Sequence, residues 1–143
     1  MTEARMIMVG VDGSEGSLHA LRWALGEARL RNAAVDVIHS WHVSPYTDVT
    51  GMTPYPGGVM QVSADAVLAA VMAAAADDAR GVKVTSQCVV GSAANTLIEA
   101  SKHADLLVVG RRGHGGFVSL VMGSVAQQVA AHAHCPVVIV AGD

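Results

Sequence analysis

The residues from Gly110 to Val125, GRRGHGGFVSLVMGSV, hold five glycines, two adjacent arginines and a histidine. An apolar run, ADLLVVG, leads into them, and a helix is expected to start near Ser124. The first N–H groups of a helix have no partner within it and favour an anion. Glycines let the backbone approach a ligand closely or take positive φ. Ser124 adds a hydroxyl. Together these suit an oligophosphate lying across the loop, with one end on the helix start. The same glycines also suit a connector that uses them only for turns, and residue types alone leave both readings open. Two well-known phosphate motifs are missing. No G-x-x-x-x-G-K-[ST] occurs, and after the first strand the glycines run Gly10-x-x-Gly13-x-x-Gly16, which is not the dinucleotide fingerprint G-x-G-x-x-G.

Other groups with chemistry to offer are few. Asp12 can cap backbone N–H groups in a turn. It can equally accept bonds from ribose hydroxyls or adenine, or help place a divalent cation. His114 lies inside the glycine loop, where it touches phosphate or is only solvated. His39 falls in an apolar strand and reads as a core histidine with its bonds satisfied. His132, His134 and Cys135 form HAHC, but no C-x-x-C pair accompanies them, and histidines suit the negative end of a helix. No metal site and no catalytic residues are assigned. No Ser-His-Asp set can be assembled, and Asp12 and His114 are the only weak candidates for a base.

These residues need elements to position them. RMIMVGVD reads as a buried strand ending in a tight turn, with Ser14 as a helix cap and Glu15 at the positive end. Leu18, Leu21, Leu25 and Ala28 repeat at helical spacing, and Asn32 stops the helix. AVDVIHSW is the second strand. From His42 to about Gln61 the prolines, glycines and hydroxyls predict a long loop, either a functional lid or a mobile segment. Ser63 to Arg80 is alanine-rich and predicts a helix ended by Gly81. VKVTSQCVV alternates as an edge strand does, Ser92 opens a third helix with Leu97 and Ile98 on its buried side, and ADLLVVG is a central strand. Ser124 to Ala133 is the last helix and CPVVIV the last strand. Strand–helix repeated four times and closed by a strand predicts an α/β fold with a mainly parallel sheet and helices on both faces. Strand order does not follow from this pattern. If strands one and four are neighbours at the switch point, both glycine-rich turns line one crevice.

Composition sets the outer bounds. The chain has 143 residues, 52% of them hydrophobic and 15% charged, which predicts one ordered domain over 1–143 without a linker. Aromatics make up only 3%, so Val, Ala, Leu, Ile and Met must build the core. The net charge is -3, with Arg111 and Arg112 the main local concentration of positive charge. No basic face with stacking aromatics is evident, so a nucleic-acid partner is not expected. Nor is a membrane, since the apolar stretch from Ala66 to Ala76 is too short to cross one. The N-terminus lacks a signal-peptide layout. Cys88 and Cys135 are expected to be reduced and packed, in a cytoplasmic protein.

The spacing Gly110-x2-Gly113-x9-Gly123-Ser124 resembles the ATP-binding motif G-x2-G-x9-G-[ST] of the universal stress protein family. VGVDGSEGSLHALRWAL, VIHSW, ADLLVVGRRGHGG, MGSVAQQV and HCPVVIV resemble that family in the same order, covering nearly the whole chain. The resemblance implies a doubly wound, Rossmann-like, five-stranded parallel sheet ordered 3-2-1-4-5. It implies ATP as ligand and a homodimer through the fifth strand, and Mg²⁺ is expected with the ATP, held mainly by the phosphates. Gly10 and Asp12 would line the nucleotide pocket, and the Ser40 backbone would meet the adenine edge. Gly110, Gly113 and the backbone through Gly115 and Gly116 would hold ribose and phosphates. Gly123, Ser124 and Val125 would hold the phosphates. Arg111 and Arg112 are added on their charge alone, outside what the resemblance implies. The expected role is a nucleotide-dependent stress or signalling regulator with an unidentified protein partner. The alternatives are slow ATP hydrolysis at the same site, or binding of a cyclic or other adenine nucleotide.

Overall fold

A computed structural model of the chain describes residues 5–41, 57–112 and 122–142. Its five strands are β1 (Met6–Gly10), β2 (Ala34–Trp41), β3 (Val84–Val90), β4 (Leu106–Gly110) and β5 (Val137–Val140). Its α-helices are α1 (Glu15–Arg31), α2 (Gly57–Ala74), α3 (Ala93–Ala100) and α4 (Ser124–His132). All strand pairs are parallel and the order is β3-β2-β1-β4-β5, as the resemblance implied. The winding reverses between β1 and β4. β3 and β5 are the edges, and β4 lies between β1 and β5, as the sequence patterns predict.

Alternating side chains divide the core in two. Ile7, Val9 and Val11 join Val35, Val37, Leu106 and Val108 beneath Leu21, Leu25, Leu68 and Val71 of α1 and α2. Met8, Ile38, Leu107 and Val109 face Leu97, Ala126 and Val129 of α3 and α4. The β1 and β4 runs are apolar throughout because helices cover both of their faces.

Local chemistry sets the helix ends. Ser14 caps α1 by accepting from the Ser17 N–H at 3.2 Å, and Asn32 closes it in the left-handed region at φ 54. Ser92 caps α3 through the Asn95 N–H at 3.3 Å. The α2 boundaries differ from the prediction. Residues 57–61 are helical instead of loop, while 42–56 lie outside the described residues. An alanine-rich helix, once nucleated, propagates through the glycine pair, at a cost of about 1 kcal/mol per glycine. At the other end the α-helix stops at Ala74, and residues 75–80 form turns instead of helix. Two arginines of α1 take the carbonyls there. Arg22 reaches the Ala74 carbonyl at 3.3 Å and the Asp78 carboxylate at 3.2 Å, and Arg29 donates to the carbonyls of Asp78 and Arg80. Gly81, at φ +78, then turns the chain into β3.

The two cysteines pack against opposite faces of the sheet, Cys88 on the edge strand β3 and Cys135 just before the opposite edge, β5. This fold therefore cannot join them within one chain. Burial pushes the Cys88 thiol up to about 11, with the Asp65 carboxylate as hydrogen-bond acceptor and neighbouring charge adding to it. Burial, then Asp105, also raises Cys135. The thiolate is the nucleophile, so Cys88 alkylation by iodoacetamide stays slow at pH 8 and reaches half-maximal rate near pH 11. Asp65→Asn removes the opposing charge and lowers that midpoint. Peptide mapping across a pH series reads both outcomes, and an unshifted midpoint in the variant would remove Asp65 from the explanation.

Candidate functional site

The turn after β1 is tied by side chains. The Asp12 carboxylate accepts from the Ser14 N–H at 2.9 Å and from the Ser14 hydroxyl. The Asp12 N–H donates to Ser17 Oγ at 3.2 Å, and Ser17 Oγ donates to the Ser14 carbonyl at 3.0 Å. Gly13 supplies the positive φ of 88 that the turn requires. Of the two sequence readings of Asp12, the turn-capping one is therefore present in the fold. Ser17, which the sequence reading passed over, is buried at the centre of this network. Its signal was a second hydroxyl three residues after the cap.

At the end of β4 the backbone is held from both sides. The Arg111 N–H donates to the Val140 carbonyl at 3.0 Å, and the Arg111 carbonyl accepts from the Gly123 N–H at 2.8 Å. This second bond delivers the start of α4 to the end of β4. Gly123 occupies the cap position of α4 and makes no side-chain cap, unlike Ser14 on α1 and Ser92 on α3. The first N–H groups of α4 therefore have no capping side chain.

The bare Cα atoms at the strand ends have packing reasons. A Cβ on Gly110 would meet the Gly16 carbonyl carbon and oxygen at 3.0 Å, so its bareness admits the first turn of α1. Gly16 in turn lies under the Arg112 carbonyl, 3.1 Å from where its own Cβ would stand. A Cβ on Gly10 would lie 2.5 Å from Leu97 Cδ1, on the opposite face. Here the obstacle is the end of a buried side chain, so Gly10→Ala is expected to cost about 1–3 kcal/mol. Leu97→Val in the same chain recovers part of that, because it withdraws both Cδ atoms. A denaturation double-mutant cycle tests this, and strict additivity would show that Leu97 is not the obstacle.

Gly10 and Asp12, Gly110 through Arg112, and Gly123 through Val125 thus meet where the sheet reverses, and Ser40 stands at the end of neighbouring β2. Gly113, His114, Gly115 and Gly116 lie outside the described residues. His39 is a satisfied core histidine, its Nδ1 2.9 Å from the Val11 carbonyl oxygen. Among the described residues no group of three or more His, Cys, Asp or Glu is placed to hold a metal ion, and no helix is long and apolar enough to cross a membrane. For a nucleotide the fit is better. The α4 start lacks a side-chain cap, and at the end of β2 the Ser40 hydroxyl and the Trp41 indole N–H are buried without a hydrogen-bond partner. Trp41 was not among the residues singled out by sequence.

Known proteins with the same arrangement are numerous. A universal stress protein of Mycobacterium tuberculosis (strain H37Rv) is 33% identical over 144 residues, covering 96% of this chain and 48% of that protein. The chain thus spans about half the length of such mycobacterial relatives. A universal stress protein of Methanocaldococcus jannaschii is 32% identical over 140 residues, covering 95% of this chain and 81% of that protein. Among solved structures, a universal stress protein in complex with cAMP superposes with TM-score 0.67 at 27% identity, covering 97% of this chain and 98% of that one. UspA from Lactobacillus plantarum has the same fold, with TM-score 0.75 at 23% identity and coverage of 98% and 99%. The model of the universal stress protein family matches residues 3–141. Sheet order, glycine spacing and sequence relatives agree: this chain belongs to the universal stress protein family.

Proposed function

We propose that this chain binds an adenine nucleotide, ATP with Mg²⁺, across the carboxyl ends of β2, β1 and β4, and that occupancy alters its contacts with a protein partner in a stress response. The observation that carries this reading is the Gly123 N–H bonded to the Arg111 carbonyl at 2.8 Å. It brings the two ends of the G-x2-G-x9-G-[ST] spacing together at a helix start without a side-chain cap, which suits a phosphate. In this reading Gly123, Ser124 and Val125 hold phosphates, with Arg111, Arg112 and His114 adding charge. The backbone of Gly110, Gly113, Gly115 and Gly116 follows ribose and phosphates. Gly10 and Asp12 line the pocket, and the Ser40 backbone meets the base. Mg²⁺ would sit mainly on the phosphates. The solved relative with cAMP supports an adenine ligand.

Holding is favoured over cutting. One Asp12 oxygen is engaged by Ser14, and the sequence has no P-loop lysine. A homodimer through β5 belongs to the same proposal, because this four-residue apolar strand is an edge. Isothermal titration with ATP, ADP, AMP and cAMP tests the ligand, and mass spectrometry identifies any small molecule released from the purified protein. Silence at millimolar concentrations of all four nucleotides would end the proposal. Light scattering tests the dimer, which a monomeric mass at assay concentration would refute.

A further inference from the structure

Asp12 ties a turn and, in the proposed function, lines the nucleotide pocket. Ser14 joins the two roles. A serine hydroxyl has one hydrogen to donate and lone pairs that accept, and Ser14 uses both. Its Oγ accepts from the Ser17 N–H at 3.2 Å, which caps α1, and donates its hydrogen to Asp12 Oδ1. The Ser14 N–H donates to the same carboxylate oxygen at 2.9 Å. Hydrogen bonds to an ionised acceptor are among the stronger ones, and two on one oxygen limit the rotation of the carboxylate.

The sheet does not supply this control. Asp12 lies two residues beyond Gly10, the last residue of β1. The Val11 N–H still bonds to β2, at the Ile38 carbonyl 2.9 Å away, but the Asp12 N–H goes to Ser17 Oγ at 3.2 Å. Ser17 is buried, and its own hydrogen is donated to the Ser14 carbonyl at 3.0 Å. The first turn of α1 therefore holds Asp12 at both its amide and its carboxylate. That turn is itself seated, because Ala20, Leu21, Ala24 and Leu25 of α1 are buried in the core. An acceptor held in place before the ligand arrives loses less freedom on binding.

We infer that Ser14 is a positioning residue for nucleotide binding: its hydroxyl, fixed by the first turn of α1, sets the angle at which the Asp12 carboxylate meets the ligand. This rests on the adenine-nucleotide reading above and on Asp12 as one of its contacts. Ser14 acts through Asp12 and not by touching the nucleotide.

Capping and positioning can be separated. Glycine replaces serine at a helix cap at a cost of only a few tenths of a kcal/mol, so Ser14→Gly deletes the hydroxyl and keeps the fold. Ser14→Thr keeps both the acceptor and the donor. Titration calorimetry with ATP compares these two variants, Asp12→Ala, and Ser14→Gly combined with Asp12→Ala. Ser14→Gly is expected to bind ATP about 3- to 10-fold more weakly, the range for one hydrogen bond, and to melt within a few degrees of wild type without nucleotide. Ser14→Thr binds within about twofold of wild type. In the Asp12→Ala background, Ser14→Gly makes no further difference, because its effect runs through the missing carboxylate. A purely structural cap would weaken binding by the same factor with and without Asp12. That result, unchanged ATP affinity in Ser14→Gly, or a Ser14→Thr protein as weak as Ser14→Gly would overturn the role of Ser14 and leave the nucleotide reading standing. Unchanged affinity in Asp12→Ala would overturn the Asp12 contact and this inference with it. No ATP binding by the wild type would overturn the nucleotide reading as well.

Discussion

Gly123→Pro lowers nucleotide affinity at least tenfold while the nucleotide-free protein stays folded. The native φ at Gly123 is -72, which a proline ring can adopt. What the substitution removes is the N–H that donates to the Arg111 carbonyl at 2.8 Å. Losing one such bond at a half-buried site costs about 1 kcal/mol, or a few degrees in melting temperature for a domain of this size. Binding suffers more, because that bond holds the exit of the glycine segment against the end of β4 and so sets where the α4 start points. Gly123→Ala is the matched control. It keeps the N–H, and the extended cap conformation accepts any residue. It leaves the bond to Arg111 in place, so a milder loss of affinity and a smaller change in melting temperature than for Gly123→Pro are expected. Calorimetry and thermal melts on both variants decide the matter. Full ATP affinity in a folded Gly123→Pro protein would show that the pin between Arg111 and Gly123 does not shape the site.

Gly110→Val acts in the opposite way, on the fold before the ligand. The resemblance to the family assigns this glycine to ribose and phosphates, yet its missing Cβ already has a structural reason. An added Cβ meets Gly16 C and O at 3.0 Å and the Ser17 N at 3.4 Å. These are backbone atoms of the first turn of α1 and cannot swing aside as a side chain does. Valine adds two methyl groups to that contact, so a loss of about 2–3 kcal/mol is expected without any nucleotide present. Alanine should cost less, since 3.0 Å requires a shift of only a few tenths of an ångström. Urea denaturation of the nucleotide-free protein reads this as a lower midpoint at unchanged slope. Affinity then falls as a consequence, because the displaced turn carries Ser14 and Ser17, which hold Asp12. Normal stability with lost affinity would return Gly110 to the ligand alone.

Much of the local structure was legible because its causes lie within a few residues. Ser14, Asn32 and Ser92 end their helices through their own side chains or backbone preference, and the apolar runs of β1 and β4 mark strands covered on both faces. The α2 boundaries were not legible. Its early end depends on Arg22 and Arg29 of another helix taking carbonyls from residues 74 to 80, and nothing near those residues in sequence announces that.

The candidate site divides along the same line. The sequence by itself determined the α/β alternation, the G-x2-G-x9-G-[ST] spacing and, through five ordered segments, the family. These are patterns of residue type along the chain, set by burial and turn geometry. Only the tertiary structure decided that Gly110 and Gly10 are bare for the sake of α1 and Leu97, that the Arg111 carbonyl holds the Gly123 N–H, and that Trp41 carries an unpaired donor at the end of β2. The reason is physical. Each of these depends on which strand lies beside which, and on distances between atoms far apart in sequence. Composition and periodicity carry neither until the sheet has assembled.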